Sequence, residues 1–467
     1  MKEFYRKHKW IFVTLFCFAL FIYYFIWSAV KPYDYAPDEY ARFPMIYYLF
    51  ENGKLPSGWL SEIRNQWWGF SYAFYITWLP SLLSALCMKI VSLFTMSAKA
   101  ILVAARFPNV VASVFTALFL FKSLDKLLTN ERVKWFVFIC VSTTPQFAFL
   151  ASYINNDALA LLGSSMICYA WVYILKKELN IRISVLLGFG ISIVTLSYYN
   201  AYGWILLSMV LFITLVWNTK KAENKEKNNL WICGLIVTVI VLGLCGFFLV
   251  RNTIMYEGDV FGLKTLEKSS EMYAVDTLKP SLRQTPHNMG ESIAHMVFLR
   301  PWIVDSFKSS VGFFGYMMFQ CSMKFYIVYA IIDVLGYLFF LINTVTKRAN
   351  LKENIKGIFF RYMIIIAALI PVLLSIHYSY YTDYQPQGRY IYPAFPAVAV
   401  MFGLGYEALY KLLKEKVKVS EKFLKPAVIA LAIGMMIVSL YIFKKVYLPS
   451  AWGSMQDFVY VFPVFNL

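Results

Sequence analysis

Acids are scarce in this chain, 26 Asp and Glu against 44 Lys and Arg in 467 residues, so where they gather is informative. Asp38 and Glu39 stand side by side directly after Pro37, with Arg42 four residues beyond Asp38. A carboxylate pair placed just after an apolar run suits a general base or a cation ligand. The same residues also suit plain helix chemistry. Pro favours a first turn, acids favour its positive end, and a helix would run to about Phe50 before Asn52 and Gly53 stop it. A second polar group is Asn155, Asn156 and Asp157, in a short turn between two apolar runs, where Asp157 either serves a site or caps the next helix. A third is Gln385, Gln387, Gly388, Arg389 and Tyr390 at the mouth of an apolar run. An arginine there suits a phosphate, with Gly388 allowing close approach, or it snorkels to lipid headgroups. Arg251 and Asn252 offer the same two alternatives. Tyr378, Tyr380, Tyr381 and Tyr384 suit either stacking on a sugar or an interfacial aromatic belt.

The elements that must position these residues are membrane helices. The chain is 60% hydrophobic, 19% aromatic and 15% charged, too apolar for a soluble domain. Apolar stretches near the ~20 residues needed to cross a bilayer recur along it. The run from Trp10 to Val30 follows a basic start, is long for a signal core, and has no small-x-small cleavage site, so it is expected to be an uncleaved first span. Further spans are expected at 100–121, 135–152, 158–175, 183–197, 200–217, 230–250, 323–345, 358–376, 391–410 and 427–447. The segment 70–94 decides the threading. If it stays at the outer interface, residues 1–9 and the loops 122–134, 176–182, 218–229, 346–357 and 411–425 all face the cytoplasm, carrying 25 of the 44 Lys and Arg. If it crosses, every later basic loop faces out.

The expected architecture is therefore an all-α polytopic membrane protein forming a single transmembrane domain over 1–467. It has about eleven spans, an inside N-terminus and an outside C-terminus. Its two long outer loops are 31–99 and 251–322, and the aromatic residues at 67–78 suit a helix lying flat in the headgroups. Asp38, Glu39, Asn156, Asp157, Arg251, Gln387, Arg389 and Tyr390 then share the outer side. The net charge of +18 resides in short loops between apolar runs and signals topology; no nucleic-acid partner is expected. Seven cysteines without a CxxC imply neither a disulfide framework nor a zinc site, and His287, His295 and His377 lack metal-ligand spacing. Asp333 lies mid-span, whereas Lys324 and Arg361 lie near span ends, where they can snorkel.

Several motifs occur here in an order that resembles a family of bacterial polytopic proteins within the GT-C superfamily of membrane glycosyltransferases. They are Ala36-Pro37-Asp38-Glu39, then Asn52-Gly53-Lys54-Leu55-Pro56, then Thr144-Pro145-Gln146-Phe147 leading to Asn155-Asn156-Asp157. Arg251-Asn252 through Asp259 and Gln387-Gly388-Arg389-Tyr390, with Pro393 and Pro396, complete the set. The resemblance implies a GT-C-like fold with interfacial helices in the first outer loop. It also implies transfer of a sugar from a polyprenyl-phosphate donor to a glycan or lipid acceptor at the outer face of a bacterial plasma membrane. It puts the catalytic carboxylate at Asp38 or Glu39, and a helper for metal or acceptor at Asp157. Arg389 would meet the leaving phosphate, with Arg251 as second choice. No cofactor is required by it; a divalent cation, Mg²⁺ or Mn²⁺, held by Asp38 and Asp157 stays open. The alternatives are a polysaccharide polymerase or ligase, and a lipid-linked glycan flippase in which Asp333 and Arg361 would matter more than Asp38.

Overall fold

A computed structural model describes residues 2–218, 224–348 and 351–457. The expected outside C-terminus lies outside the described residues, as do parts of the basic loops 218–229 and 346–357. In chain order the helices are α1 (Lys2–Val30), α2 (Glu39–Asn52), α3 (Leu79–Ser92), α4 (Ala98–Leu127), α5 (Glu131–Ser142) and α6 (Pro145–Leu150). Then come α7 (Asp157–Lys176), α8 (Ile181–Thr195), α9 (Gly203–Asn218), α10 (Asn224–Met255), α11 (Leu263–Tyr273) and α12 (Trp302–Val311). The last are α13 (Met323–Arg348), α14 (Leu351–Tyr381), α15 (Phe395–Glu415), α16 (Glu421–Ile442) and α17 (Leu448–Asp457). Between α12 and α13 a small antiparallel hairpin pairs Phe313 with Gln320 and Phe314 with Phe319.

The chain is an α-helical polytopic membrane protein. Among the described residues, eight helices are long and apolar enough to cross a bilayer. The other three expected spans are helical but interrupted or short. Residues 135–152 break at Thr144, whose extended backbone is what a following proline imposes, and Pro145 then opens α6. Residues 183–197 become α8, 15 residues long. Residues 391–410 begin as a 3₁₀ stretch, Gly388–Ala394, before α15 starts at Phe395. The segment 70–94 holds a single 3₁₀ turn, Tyr72–Phe74, and the 14-residue α3, roughly 21 Å long against about 30 Å of hydrocarbon. No continuous helix covers 67–78. Phe74 and Trp78 are buried there, and a Cβ at Gly58 would lie 2.3 Å from the Phe74 ring, so this stretch folds inward as turns.

Helices meet closely where side chains vanish. A Cβ at Gly163 on α7 would lie 2.7 Å from the carbonyl oxygen of Gly190 on α8, and one at Gly405 on α15 would lie 2.1 Å from that of Gly336 on α13. With no hydrophobic drive between helices in lipid, such small-residue contacts supply the packing. At the end where basic loops gather, Lys9 from α1 (2.7 Å) and Lys134 from α5 both bond Asp125 of α4, tying three helices together.

Candidate functional site

The site is built on a buried ion pair at the opposite end. Arg106 of α4 and Glu39, the first residue of α2, both have fully buried side chains. Arg106 Nε donates to Glu39 Oε1 at 2.7 Å and Nη2 to Oε2 at 2.6 Å. Its remaining N–H groups bond the carbonyls of Ser28 (3.0 Å), Lys31 (2.8 Å) and Pro32 (2.9 Å). All five donors of the guanidinium are thus used, as a charge without water requires. Glu39 Oε1 also accepts from the Ile154 amide at 3.1 Å. Asn109, one turn along α4, donates to the carbonyls of Tyr153 (2.6 Å) and Asn155 (3.1 Å). The turn ahead of α7 is therefore held by α4, and Asp157 is placed by it.

Asp38 takes the other direction. Its backbone is left-handed at φ 65°, a conformation in which aspartate is over-represented but still strained. It occupies the N-cap of α2, where its carbonyl accepts from the Arg42 amide at 3.0 Å, yet its side chain bonds no helix amide. Its Oδ2 instead accepts from Arg389 Nη2 at 2.6 Å, a contact between residues 351 positions apart. Arg389 also donates to the Pro37 carbonyl (3.4 Å) and the Tyr390 hydroxyl (3.1 Å), which donates to Gln385 Oε1 at 2.5 Å. The Asp38 side chain is 34% exposed and that of Arg389 6%, so the acid is the solvent-facing member. Burial pushes the Asp38 carboxyl up, but Arg389 and Arg42 outweigh it and hold the group below the usual carboxylate range. Burial pulls the Arg389 guanidinium down, and Asp38 more than reverses this. Tyr390 is pushed up to about 12 by burial and stays protonated.

Around this pair lie polar groups that lack partners. Asp157 faces Arg389, Arg42 and Asp38, and its Oδ1 is buried without a hydrogen bond. The Arg42 guanidinium lies 4.0 Å over the Tyr72 ring, with its buried Nε likewise unpartnered. The Tyr153 hydroxyl faces Arg389, yet neither it nor Arg389 Nε forms a bond within hydrogen-bond geometry. Buried polar atoms in native proteins are nearly always satisfied, so several orphans in one place make this a candidate binding site. Tyr72, Tyr75, Tyr378 and Tyr390 supply aromatic rings beside them, with Tyr378 and Tyr390 centred 5.4 Å apart and Tyr72 and Tyr75 6.0 Å apart.

Asp38, Asp157, Arg389 and Tyr390 are thus brought together, and others in the expected set are not. Glu39 is corrected from a catalytic candidate to a structural one, because Arg106 and the Ile154 amide occupy both of its oxygens. Asn156 donates to Thr77 Oγ1 at 3.2 Å, and Asn155, not Asp157, caps α7 by accepting from the Ala158 amide at 2.9 Å. Arg251 bonds the Pro56 carbonyl (2.7 Å) and Asn252 (3.2 Å) beside Trp78, contacts that belong to neither Asp38 nor Arg389. Gln387 donates to Gln385 Oε1 at 3.3 Å, the atom that also accepts from the Tyr390 hydroxyl. Gly388 opens no approach for a ligand: a Cβ there would lie 2.3 Å from the Ser310 amide nitrogen, so the glycine lets the chain pass α12. Arg42 and Arg106 are not among the expected site residues. The first stands four residues from Asp38, one helical turn on; the second is a lone arginine within an apolar span, itself a warning sign. For a cation the donors are Asp38 and Asp157, and among the described residues no group of three or more His, Cys, Asp or Glu assembles.

Residues 68–398 match the family described as a predicted membrane protein, DUF2142, which is more than half of the chain. The chain belongs to that family. The matched stretch holds Asp157, Arg251 and Arg389 and begins after Asp38. No curated protein matches this family member. Among solved structures it is similar to ArnT from Cupriavidus metallidurans bound to undecaprenyl phosphate, at 11% identity and TM-score 0.46, over 95% of this chain and 74% of that one. It is also similar to the Archaeoglobus fulgidus oligosaccharyltransferase tethered with an acceptor peptide, at 11% identity and TM-score 0.49, over 94% and 55%. A third is AglB from Archaeoglobus fulgidus in complex with an inhibitory peptide and a dolichol-phosphate, at 12% identity and TM-score 0.48, over 91% and 55%. The chain spans just over half the length of those archaeal chains. Overlap this loose carries no conclusion about chemistry.

Proposed function

We propose that this protein is a membrane glycosyltransferase that moves a sugar from a polyprenyl-phosphate carrier to a cell-envelope glycan or lipid acceptor at the outer face of a bacterial plasma membrane. The observation that supports this most is the set of orphaned polar atoms, Arg42 Nε, Arg389 Nε, Asp157 Oδ1 and Tyr153 OH, gathered around the Asp38–Arg389 pair. Two guanidinium groups with free donors suit a phosphate, an exposed carboxylate suits a hydroxyl, and tyrosine rings suit a sugar face.

In this reading the acceptor hydroxyl oxygen attacks the anomeric carbon while the bond from that carbon to the carrier phosphate breaks, the electron pair leaving with the phosphate. Configuration inverts, and the acceptor proton passes to Asp38. Arg389 and Arg42 meet the charge that grows on the departing phosphate. Arg389 links the two events. As it turns toward the phosphate, its hold on Asp38 weakens, and the carboxylate it kept weakly basic becomes a better proton acceptor. Asp157, unpartnered on one oxygen, would accept a sugar hydroxyl.

Asp38 is paired with Arg389, and Asp157 faces Arg389 and Arg42, so positive charge already stands where a divalent cation would have to sit, and no step is routed through a metal. Transfer should survive EDTA. Loss on chelation, with recovery on adding Mg²⁺ or Mn²⁺, would put a cation between Asp38 and Asp157.

The deciding experiment incubates purified protein with polyprenyl-phosphate sugars and candidate acceptors, comparing wild type with Asp38→Asn. Transfer by wild type and its loss in the variant are expected; equal transfer removes Asp38 from the mechanism. Sidedness is checked with a cysteine in a cysteine-free background. Val417, 58% exposed in the basic loop 411–425, is the site. Val417→Cys should resist an impermeant thiol reagent from outside, and ready labelling would reverse the threading.

A further inference from the structure

The end of the molecule remote from Asp38 contains a cavity of about 880 Å³ between the ends of α13, α14 and α15. Five cations line it: Lys176, Lys347, Lys356, Arg361 and Lys411. Its acids are Glu407 and Glu415. Glu407 is already engaged, accepting from the Thr129 amide at 2.9 Å and from the Thr129 hydroxyl, with Lys411 3.6 Å away. Lys347 faces Arg361, Lys411 and Lys176, with Glu407 the weakest of its charged neighbours. Among the described residues, Lys176, Lys347 and Arg361 have no carboxylate within ion-pair distance.

Lysines at this end have an ordinary explanation, as topology signals that reach into bulk headgroups. Arg361 does not share it. The arginine expected to snorkel is instead 4% exposed, ten residues past the start of α14, and donates to Thr344 Oγ1 on α13 at 2.9 Å. A buried guanidinium among other cations is unfavourable unless an anion offsets it. The walls above it are apolar, with Phe339, Ile342, Phe360 and Leu404. Cationic at the rim, apolar beyond and of ligand size, the cavity has the chemistry of a phosphate-bearing amphiphile.

We infer that this cavity is a binding site for the phosphate headgroup of an anionic phospholipid, whose acyl chains leave along the apolar walls. The shared chemistry is a phosphate anion, and the apolar walls favour a lipid over a free one. The site is independent of the reaction at the Asp38 end.

Native mass spectrometry of the purified full-length protein tests it, with phosphatidylglycerol, phosphatidylcholine and inorganic phosphate as separate probes. A discrete one-to-one phosphatidylglycerol adduct is expected, strongly preferred over phosphatidylcholine and not displaced by millimolar phosphate. Lys347→Gln and Lys176→Gln should each weaken it about fivefold, the share of one lysine near an anionic headgroup, while Lys324→Gln leaves it unchanged. The two lysine variants carry the test because Arg361→Gln risks the fold. Equal retention of the two lipids, adducts unchanged in both lysine variants, or weakening of the same size in Lys324→Gln would overturn the site. Displacement by inorganic phosphate would overturn the lipid in favour of a soluble anion.

Discussion

Asp38 and Glu39 are neighbours in the chain, each bound by an arginine, and they have opposite fates. Arg106 spends all five donors, two on Glu39 and three on carbonyls, and the pair is sealed from water. Arg389 bonds Asp38 through one nitrogen, leaves Nε unpartnered, and holds an acid that is one-third exposed. The difference follows from position. Glu39 has entered α2 and points to α4, whereas Asp38 sits one residue earlier in a left-handed turn that aims it at the chain before α15. A saturated ion pair has no donor left to offer a ligand, and an unsaturated one does.

The largest effect should come from breaking the saturated pair. Glu39→Gln leaves Arg106 buried with its charge uncompensated, a change that costs about 3–5 kcal/mol. Loss of folded protein, seen as a collapsed thermal midpoint or failure to purify, is expected; a stable, inactive Glu39→Gln protein would return Glu39 to the chemistry. Next is Asp38→Asn. Removing a general base costs on the order of 10²–10⁴ in rate, and because this pair is unsaturated the thermal midpoint should move little. Large destabilisation here would erase the contrast. Arg389→Lys keeps the charge and loses the planar fork, so it should raise the donor KM by about 10- to 100-fold, the share of a charge-assisted hydrogen bond. A change confined to stability would make Arg389 a second Arg106.

The helical membrane fold was legible because hydrophobicity over ~20 residues is a local signal. The turn at Thr144 was legible in principle, since Pro145 forces it, yet an apolar run on both sides hides a break. For the site, Asp38, Asp157 and Arg389 stood out because charge is rare at span ends. What local pattern could not supply is which of two adjacent acids would be consumed by the scaffold. That depends on Arg106, 67 residues away, and on whether carbonyls of Ser28, Lys31 and Pro32 complete its cage. Arg251 shows the converse: its type and expected side matched Arg389, but the Pro56 carbonyl and Trp78 claim it.

Asp34 offers the mildest test, being a third acid on the same loop with neither arginine. It too has a left-handed backbone, φ 59°, and it accepts from the Tyr316 hydroxyl at 2.5 Å. Burial pushes its carboxyl up to about 6, a rise the Tyr316 bond only partly counters. An acid whose folded value exceeds its unfolded one binds more protons when folded, so its ionisation works against folding above that value and the penalty disappears as pH falls. Wild type should therefore gain thermal stability relative to Asp34→Asn as pH falls from about 6.5 to about 4, the interval between the folded and the ordinary carboxyl value, whereas Asp38, held low, can only lose stability toward the bottom of that range. Thermal midpoints of the two proteins across this window measure it. A constant difference would mean that Asp34 is as well solvated as an ordinary surface acid, and that burial without a guanidinium does not set this loop's third carboxylate apart from the other two.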